Sequence, residues 1–162
     1  MYCKPDPGNI RRSNGAGNPF HDHPEQVCLR SSEKVSGARL YRCDWIWFSG
    51  MHLLEMLGDA YSARVESSQV PYIPEAFDYA GEFYLTAAAQ RNRNHVGEDV
   101  QFFEVPFEME EILFDPQTSG GLLVSIEKSD AEQCLEELKA LGLPCAIVGE
   151  VTEKREKKIE VR

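Results

Sequence analysis

The chain has 162 residues, 42% of them hydrophobic, with 17 Lys and Arg against 27 Asp and Glu and a net charge of −10. That length suits one domain, or one domain with an extension, and that hydrophobic share suits a packed core rather than wholesale disorder. The acidity argues against a nucleic-acid partner, and no apolar run reaches the roughly 18 residues of a membrane span. The expectation is a cytoplasmic protein with neither nucleic acid nor membrane as partner.

The charge divides the chain. Residues 1–51 carry seven Lys/Arg and five Asp/Glu, net +2, whereas residues 52–162 carry ten and twenty-two, net −12. Cys3, Cys28 and Cys43 fall in the first part, Cys134 and Cys145 in the second, and no two are spaced C-x-x-C. His21, His23, His52 and His95 do not complete a zinc pattern with them, so free or buried thiols are expected and no metal site.

From Met1 to Arg42 the chain shows neither helical nor strand periodicity, and Asn14-Gly15-Ala16-Gly17-Asn18-Pro19 is a succession of breakers. Read alone, this is a disordered tail. Trp45-Ile46-Trp47-Phe48 then follows with no polar face beside it. His52 to Leu57 reads as a short helix stopped by Gly58, and Ala63 to Ser67 alternates like a strand. Pro74 opens a helix whose apolar face is Ala76, Phe77, Ala80, Phe83 and Tyr84. Gln90 to Asp99 is polar and irregular and reads as a loop. Met109 to Leu113 is a short helix ending before Asp115-Pro116, and Leu122 to Ile126 is a strand apolar enough to be buried on both faces.

Ser129-Asp130-Ala131-Glu132 has the form of a capping box, opening a helix with Cys134, Leu135, Leu138 and Leu141 as its stripe and Gly142 as its stop. Glu132, Glu136 and Glu137 read as its solvated face. Ala146 to Val151 is the next strand, and Ile159 to Val161 a final edge strand. The fold class is α+β, with helices packed on one small mixed sheet.

The segment Leu113-Phe114-Asp115-Pro116-Gln117-Thr118-Ser119-Gly120-Gly121-Leu122-Leu123 carries the most information. Asp115 and Thr118 suit local backbone donors, Pro116 stiffens the turn, and two glycines permit backbone forms closed to other residues. Small residues with free N–H groups can cradle an anion such as phosphate. On the residues alone a tight helix-to-strand connection is the simpler reading.

That string resembles the signature of the selenophosphate synthetases (selenide, water dikinases), and the resemblance runs from His52 to the C-terminus. It takes in His52-Leu53-Leu54-Glu55-Met56, Val70-Pro71, Arg91-Asn92 and His95-Val96-Gly97. The resemblance implies the C-terminal domain of the aminoimidazole-ribonucleotide-synthetase-like (PurM-like) ATP-binding superfamily. It further implies a parent enzyme that converts selenide, ATP and water to selenophosphate, AMP and phosphate. ATP and Mg²⁺ are the parent's cofactors, held largely by an N-terminal domain that also supplies the reactive cysteine or selenocysteine. Residues 52–162 alone are therefore expected to bind neither tightly and to hold no catalytic or metal-ligating residue. The ligand-facing candidates are Asp115, Gln117, Thr118, Ser119, Gly120 and Gly121, with Asn92 and Asn94 behind them. Arg91 and Arg93 have the charge to answer phosphate. The expected partners are that ATP-binding domain and a second copy or an intact synthetase.

Residues 1–51 acquire a different meaning beside this family, whose members carry a stretch like A-C-T-D-V-T-G-F-G-L before H-L-L-E-M. Reading the last two bases of each codon with the first of the next, Trp45-Ile46 must encode glycine, and so must Trp47-Phe48. The same shift from Arg39 onward permits A-C-T-D-V-T-G-F-G, with the metal-site aspartate written across Arg42 and Cys43. His21 to Leu29, shifted likewise, permits M-T-T-L-N-K-Y-A, another family-like segment. Residues 1–51 thus read as an out-of-frame extension and 52–162 as the domain. On this reading His21, Asp22, His23, Asp44 and the first three cysteines are accidental text.

Overall fold

The computed structural model describes residues 2–3, 39–42, 51–116, 121–140 and 142–162, and of residues 2–3, 39–42, 51 and 52 the backbone alone. Five helices are described: α1 (Met51–Leu57), α2 (Pro74–Gly81), α3 (Ala87–Val96), α4 (Phe107–Phe114) and α5 (Lys128–Lys139). The described strands are β1 (Tyr2–Cys3), β2 (Arg39–Arg42), β3 (Tyr61–Val65), β4 (Val100–Phe102), β5 (Leu122–Ser125), β6 (Cys145–Ala146), β7 (Gly149–Glu153) and β8 (Ile159–Val161). The architecture is α+β, with a small mixed sheet at its centre.

That mixed sheet runs β4-β8-β3-β7, with β8 parallel to both β4 and β3, and β7 antiparallel to β3. A second sheet, antiparallel where its pairs are described, runs β2-β5-β1-β6. Strand pairing therefore reaches into Tyr2–Cys3 and Arg39–Arg42, where the sequence has no strand period. Main-chain hydrogen bonds pair an extended segment whatever its side-chain alternation, and β5 would otherwise present bare edges. The remaining readings on residues 1–50, including Trp45 to Phe48, lie outside the described residues.

β5 is the strand between two cores. Leu123 joins Leu53, Met56, Val65, Leu113 and Ile159, while Leu122 and Val124 pack with Cys134, Leu135 and Leu138 of α5. This is the period-2 geometry of a pleat, read off a strand buried on both faces. Each fully buried Leu, Ile or Val contributes about 1.5–3 kcal/mol over leaving it in water. A third cluster, Ala89, Val96 and Phe114, joins α3 to the end of α4.

Several expectations are corrected. Ile159–Val161 is not an edge: β8 lies between β4 and β3, with Ile159 and Val161 fully buried. Residues 90–99 are not a loop but most of α3 followed by a 3₁₀ turn, Gly97–Asp99. The helix from Pro74 stops at Gly81, which leaves Phe83 and Tyr84 beyond it and 74% and 71% exposed rather than on a packed face. The capping box does not form, because α5 starts at Lys128 after Glu127, and the Ser129 hydroxyl bonds Asp130 instead (3.2 Å). The strand read over 146–151 is broken, ending as β6 at Ala146 and resuming as β7 at Gly149, with Val148 buried in between. β4 is an additional strand. Gly58 does stop its helix with left-handed backbone, φ 58°, whereas α5 ends at Lys139, three residues before Gly142 (φ 75°), and Leu141 lies outside the described residues.

Candidate functional site

Asp115 leaves α4 in extended conformation, with Pro116 behind it, and the chain re-enters the core at the buried Gly121 at the foot of β5. Gln117, Thr118, Ser119 and Gly120 lie outside the described residues, so the site is built from its two ends and from α3. Thr86 caps α3: its hydroxyl oxygen accepts from the Ala89 amide at 3.1 Å. The same hydroxyl donates to Asp115 Oδ1 at 2.9 Å. A hydroxyl can do both at once, so one side chain closes a helix and holds the loop's first carboxylate.

Asn92 grips the neighbouring residue. Its Nδ2 donates to the Phe114 carbonyl at 2.9 Å, one of the carbonyls that the end of α4 leaves without a helical partner. Asn94 lies elsewhere: residues two apart do not share a helix face, and Asn94 accepts from Gln90 on the exposed side at 3.1 Å. Of the two asparagines predicted from sequence, the structure brings only Asn92 to the loop, and it binds backbone there.

Arg93 is committed to structure. Its guanidinium bonds Glu110 at 2.9 Å and the buried Glu111 at 2.5 Å, and lies 4.5 Å from the centre of the Phe114 ring. An arginine already holding two carboxylates has no charge left to answer a phosphate. Arg91 is exposed and makes no ion pair among the described residues.

The Asp115 carboxyl is held above its ordinary value of 3.8, first by burial and further by the negative charge of Glu111, with the Thr86 hydrogen bond opposing both. Among the described residues no three or more His, Cys, Asp or Glu come together as a metal site; Cys134 is buried, and the Cys145 thiol donates to the Leu143 carbonyl at 3.2 Å. Among the described residues the carboxylate at this site is that of Asp115, half-buried and bonded to the Thr86 hydroxyl. What the geometry does is mechanical. It fixes the entry to residues 117–120 against α3 by two hydrogen bonds and a shared apolar cluster. Thr86 and Glu111 were the members missed from sequence. A Thr directly before Ala87-Ala88-Ala89 was the available signal for a helix start.

This arrangement, an acidic α+β domain in which the end of α4 is braced against α3, coincides with a match to a family model. Residues 50–162 match the family described as AIR synthase related protein, C-terminal domain, and the chain belongs to it. Within that class its likeness is to selenide, water dikinases. It is 55% identical over 111 residues to the selenide, water dikinase of Agathobacter rectalis, covering 68% of this chain and 32% of that protein. It is 36% identical over 127 residues to that of Desulfitobacterium hafniense (77% and 37%), and 41% over 113 residues to that of Pelobacter propionicus (68% and 32%). The chain spans about a third of the length of the curated relatives it matches. No helix among the described residues is long and apolar enough to cross a membrane.

Proposed function

We propose that residues 52–162 serve as the C-terminal domain of a selenophosphate synthetase, beside an ATP-binding domain that supplies the phosphate, metal and selenium chemistry. The observation that carries this reading is the 55% identity over 111 residues to a selenide, water dikinase, beside the family match over residues 50–162. The intact enzyme would make selenophosphate, AMP and phosphate from selenide, ATP and water. The 162 residues alone would not, because on this reading the phosphate, metal and selenium chemistry belongs to that other domain. Residues 1–51 we take as translated out of frame, on the codon argument above.

Two experiments test this. Incubation of the purified chain with ATP, Mg²⁺ and selenide, followed by ³¹P NMR, should give neither selenophosphate nor AMP. Formation of selenophosphate would overturn the assignment of the chemistry to another domain. Resequencing the genomic DNA from upstream of codon 1 to codon 60 should reveal an open frame into an ATP-binding domain once a single base is gained or lost. A second reading, a stand-alone module that pairs with an intact synthetase, draws on the exposed rings of Phe83 and Tyr84. Co-sedimentation with the Agathobacter rectalis enzyme would favour it.

A further inference from the structure

The surface made by α2, the turn after it and the start of α4 combines three features found together nowhere else among the described residues. The first is exposed aromatic area: Tyr79 is 58% exposed, Phe83 74% and Tyr84 71%, with Phe107 at 42%. These rings are held in fixed pairs, Phe83 with Phe107 at 5.6 Å and Tyr79 edge-on to Tyr84 at 5.9 Å. The second is backbone strain. Phe83, in the turn after α2, has left-handed backbone (φ 62°), one of two non-glycine residues among those described that do. Main-chain bonds from Phe83 to Ala80, Tyr84 to Tyr79 and Leu85 to Phe83 maintain the turn that holds the rings outward. A bulky residue in that region costs on the order of 1–3 kcal/mol and persists where the surroundings impose it, commonly at functional surfaces.

The third feature is charge. Residues 71–85 and 103–111 contain Glu75, Asp78, Glu82, Glu104, Glu108, Glu110 and Glu111 and no Lys or Arg. Arg93 answers Glu110 and Glu111, and Glu104 shares a hollow with Arg162, which lies 5.6 Å from the Phe103 ring, whereas Glu75, Asp78, Glu82 and Glu108 make no ion pair among the described residues. Aromatic faces ringed by unanswered carboxylates attract a cation twice, through the ring quadrupole and through the charges. A second copy would bring the same negative charge and be repelled.

We propose that this face docks a cationic, aliphatic segment of another polypeptide, with Phe83 and Tyr84 as anchors and the carboxylates around them meeting Lys or Arg. The inference concerns the same two rings as the pairing with an intact synthetase, and rests on their charge surroundings rather than on that reading. The probe is a synthetic amphipathic helix of Leu and Arg, against a control with Glu at every Arg, titrated into the ¹⁵N-labelled 162-residue chain. The Arg peptide should shift amides of residues 72–85 and 103–108, and should bind at least tenfold more weakly at high salt than at low. Phe83→Gly should leave Tm unchanged or raised, since glycine takes that φ freely, yet weaken the peptide at least tenfold. Tyr84→Ser should weaken it in the same direction. Equal binding of both peptides, shifts centred on Glu132, Glu136 and Glu137 of α5, or undiminished binding to Phe83→Gly would overturn the proposal. Self-association in ultracentrifugation that Phe83→Gly abolishes would make a second copy the occupant and would overturn it too.

Discussion

Thr86 and Asp115, 29 residues apart in the chain, share a hydrogen bond of 2.9 Å that makes the cap of α3 the anchor of the loop leaving α4. The bond is what moderates an otherwise unfavourable site, for Asp115 is half-buried and faces the charge of Glu111. Helix start and loop start are thus one structural unit.

Because the Asp115 carboxyl is raised above 3.8 in the folded chain, the native state holds that proton more tightly than the unfolded state does. Its contribution to stability is therefore greatest at acid pH and is lost as pH rises from about 3.8 through the raised value. Asp115→Asn cannot titrate and keeps an oxygen for the Thr86 hydroxyl. The difference in Tm between Asn variant and wild type should be flat below that window, widen in the variant's favour through it, and be flat again above. Parallel melting curves from pH 3.5 to 7 would show that Asp115 bears no such cost.

Arg93 is the counter-ion of a carboxylate with almost no water. The Glu111 side chain is 8% exposed, and that of Arg93 29%. Arg93→Met strands Glu111 and should cost about 2–4 kcal/mol in urea unfolding, the upper end reduced because the guanidinium is partly solvated. Arg93→Met with Glu111→Met should recover most of that loss. A double variant as unstable as the single one would mean that packing on Phe114, not charge, holds the pair.

Gly149 is required by space. It pairs with Val65 across β3 and β7, and a Cβ added there would overlap the Arg64 carbonyl oxygen, which belongs to backbone and cannot swing away. Gly149→Ala should destabilise by about 1–3 kcal/mol through displacement of β7. In hydrogen exchange the effect should be largest at Glu66, whose amide bonds Val148. An unchanged Glu66 amide would place the adjustment elsewhere.

The parts of this fold written legibly in the sequence are those where burial follows a local period. Leu122-Leu123-Val124 announces a two-sided strand, and the structure divides it between two cores as the pleat requires. Cys134, Leu135 and Leu138 announce the buried stripe of α5. Illegible parts are those stabilised from a distance. Helix α3 buries only Ala89 and Val96, and its polar stretch Arg91-Asn92-Arg93-Asn94 looks like loop until Asn92 and Arg93 are seen bonded to α4. Ile159-Glu160-Val161 reads as an edge because it is terminal and alternating. Its parallel pairing to strands nearly sixty and a hundred residues earlier has no local signature. The candidate segment was legible as a string, while the Phe114 carbonyl that Asn92 holds has no signature in it.

The division of β5 between two cores also separates what a core truncation should do. Leu138 of α5 is 1% exposed and packs with Leu122 and Val124, whereas Ile159 of β8 is fully buried in the cluster on the other side with Leu123. Leu138→Ala and Ile159→Ala should each cost about 2–5 kcal/mol, the value depending on how far the site collapses. If β5 couples the clusters into one cooperative unit, both variants should keep the wild-type denaturant slope and accelerate exchange throughout. The alternative outcome has a distinct form: Leu138→Ala would release α5 amides alone, with β3 and β8 still protected. Coupling is the expected result, because Leu122 and Leu123 are adjacent on one strand and neither cluster can loosen without moving the backbone that the other is built on.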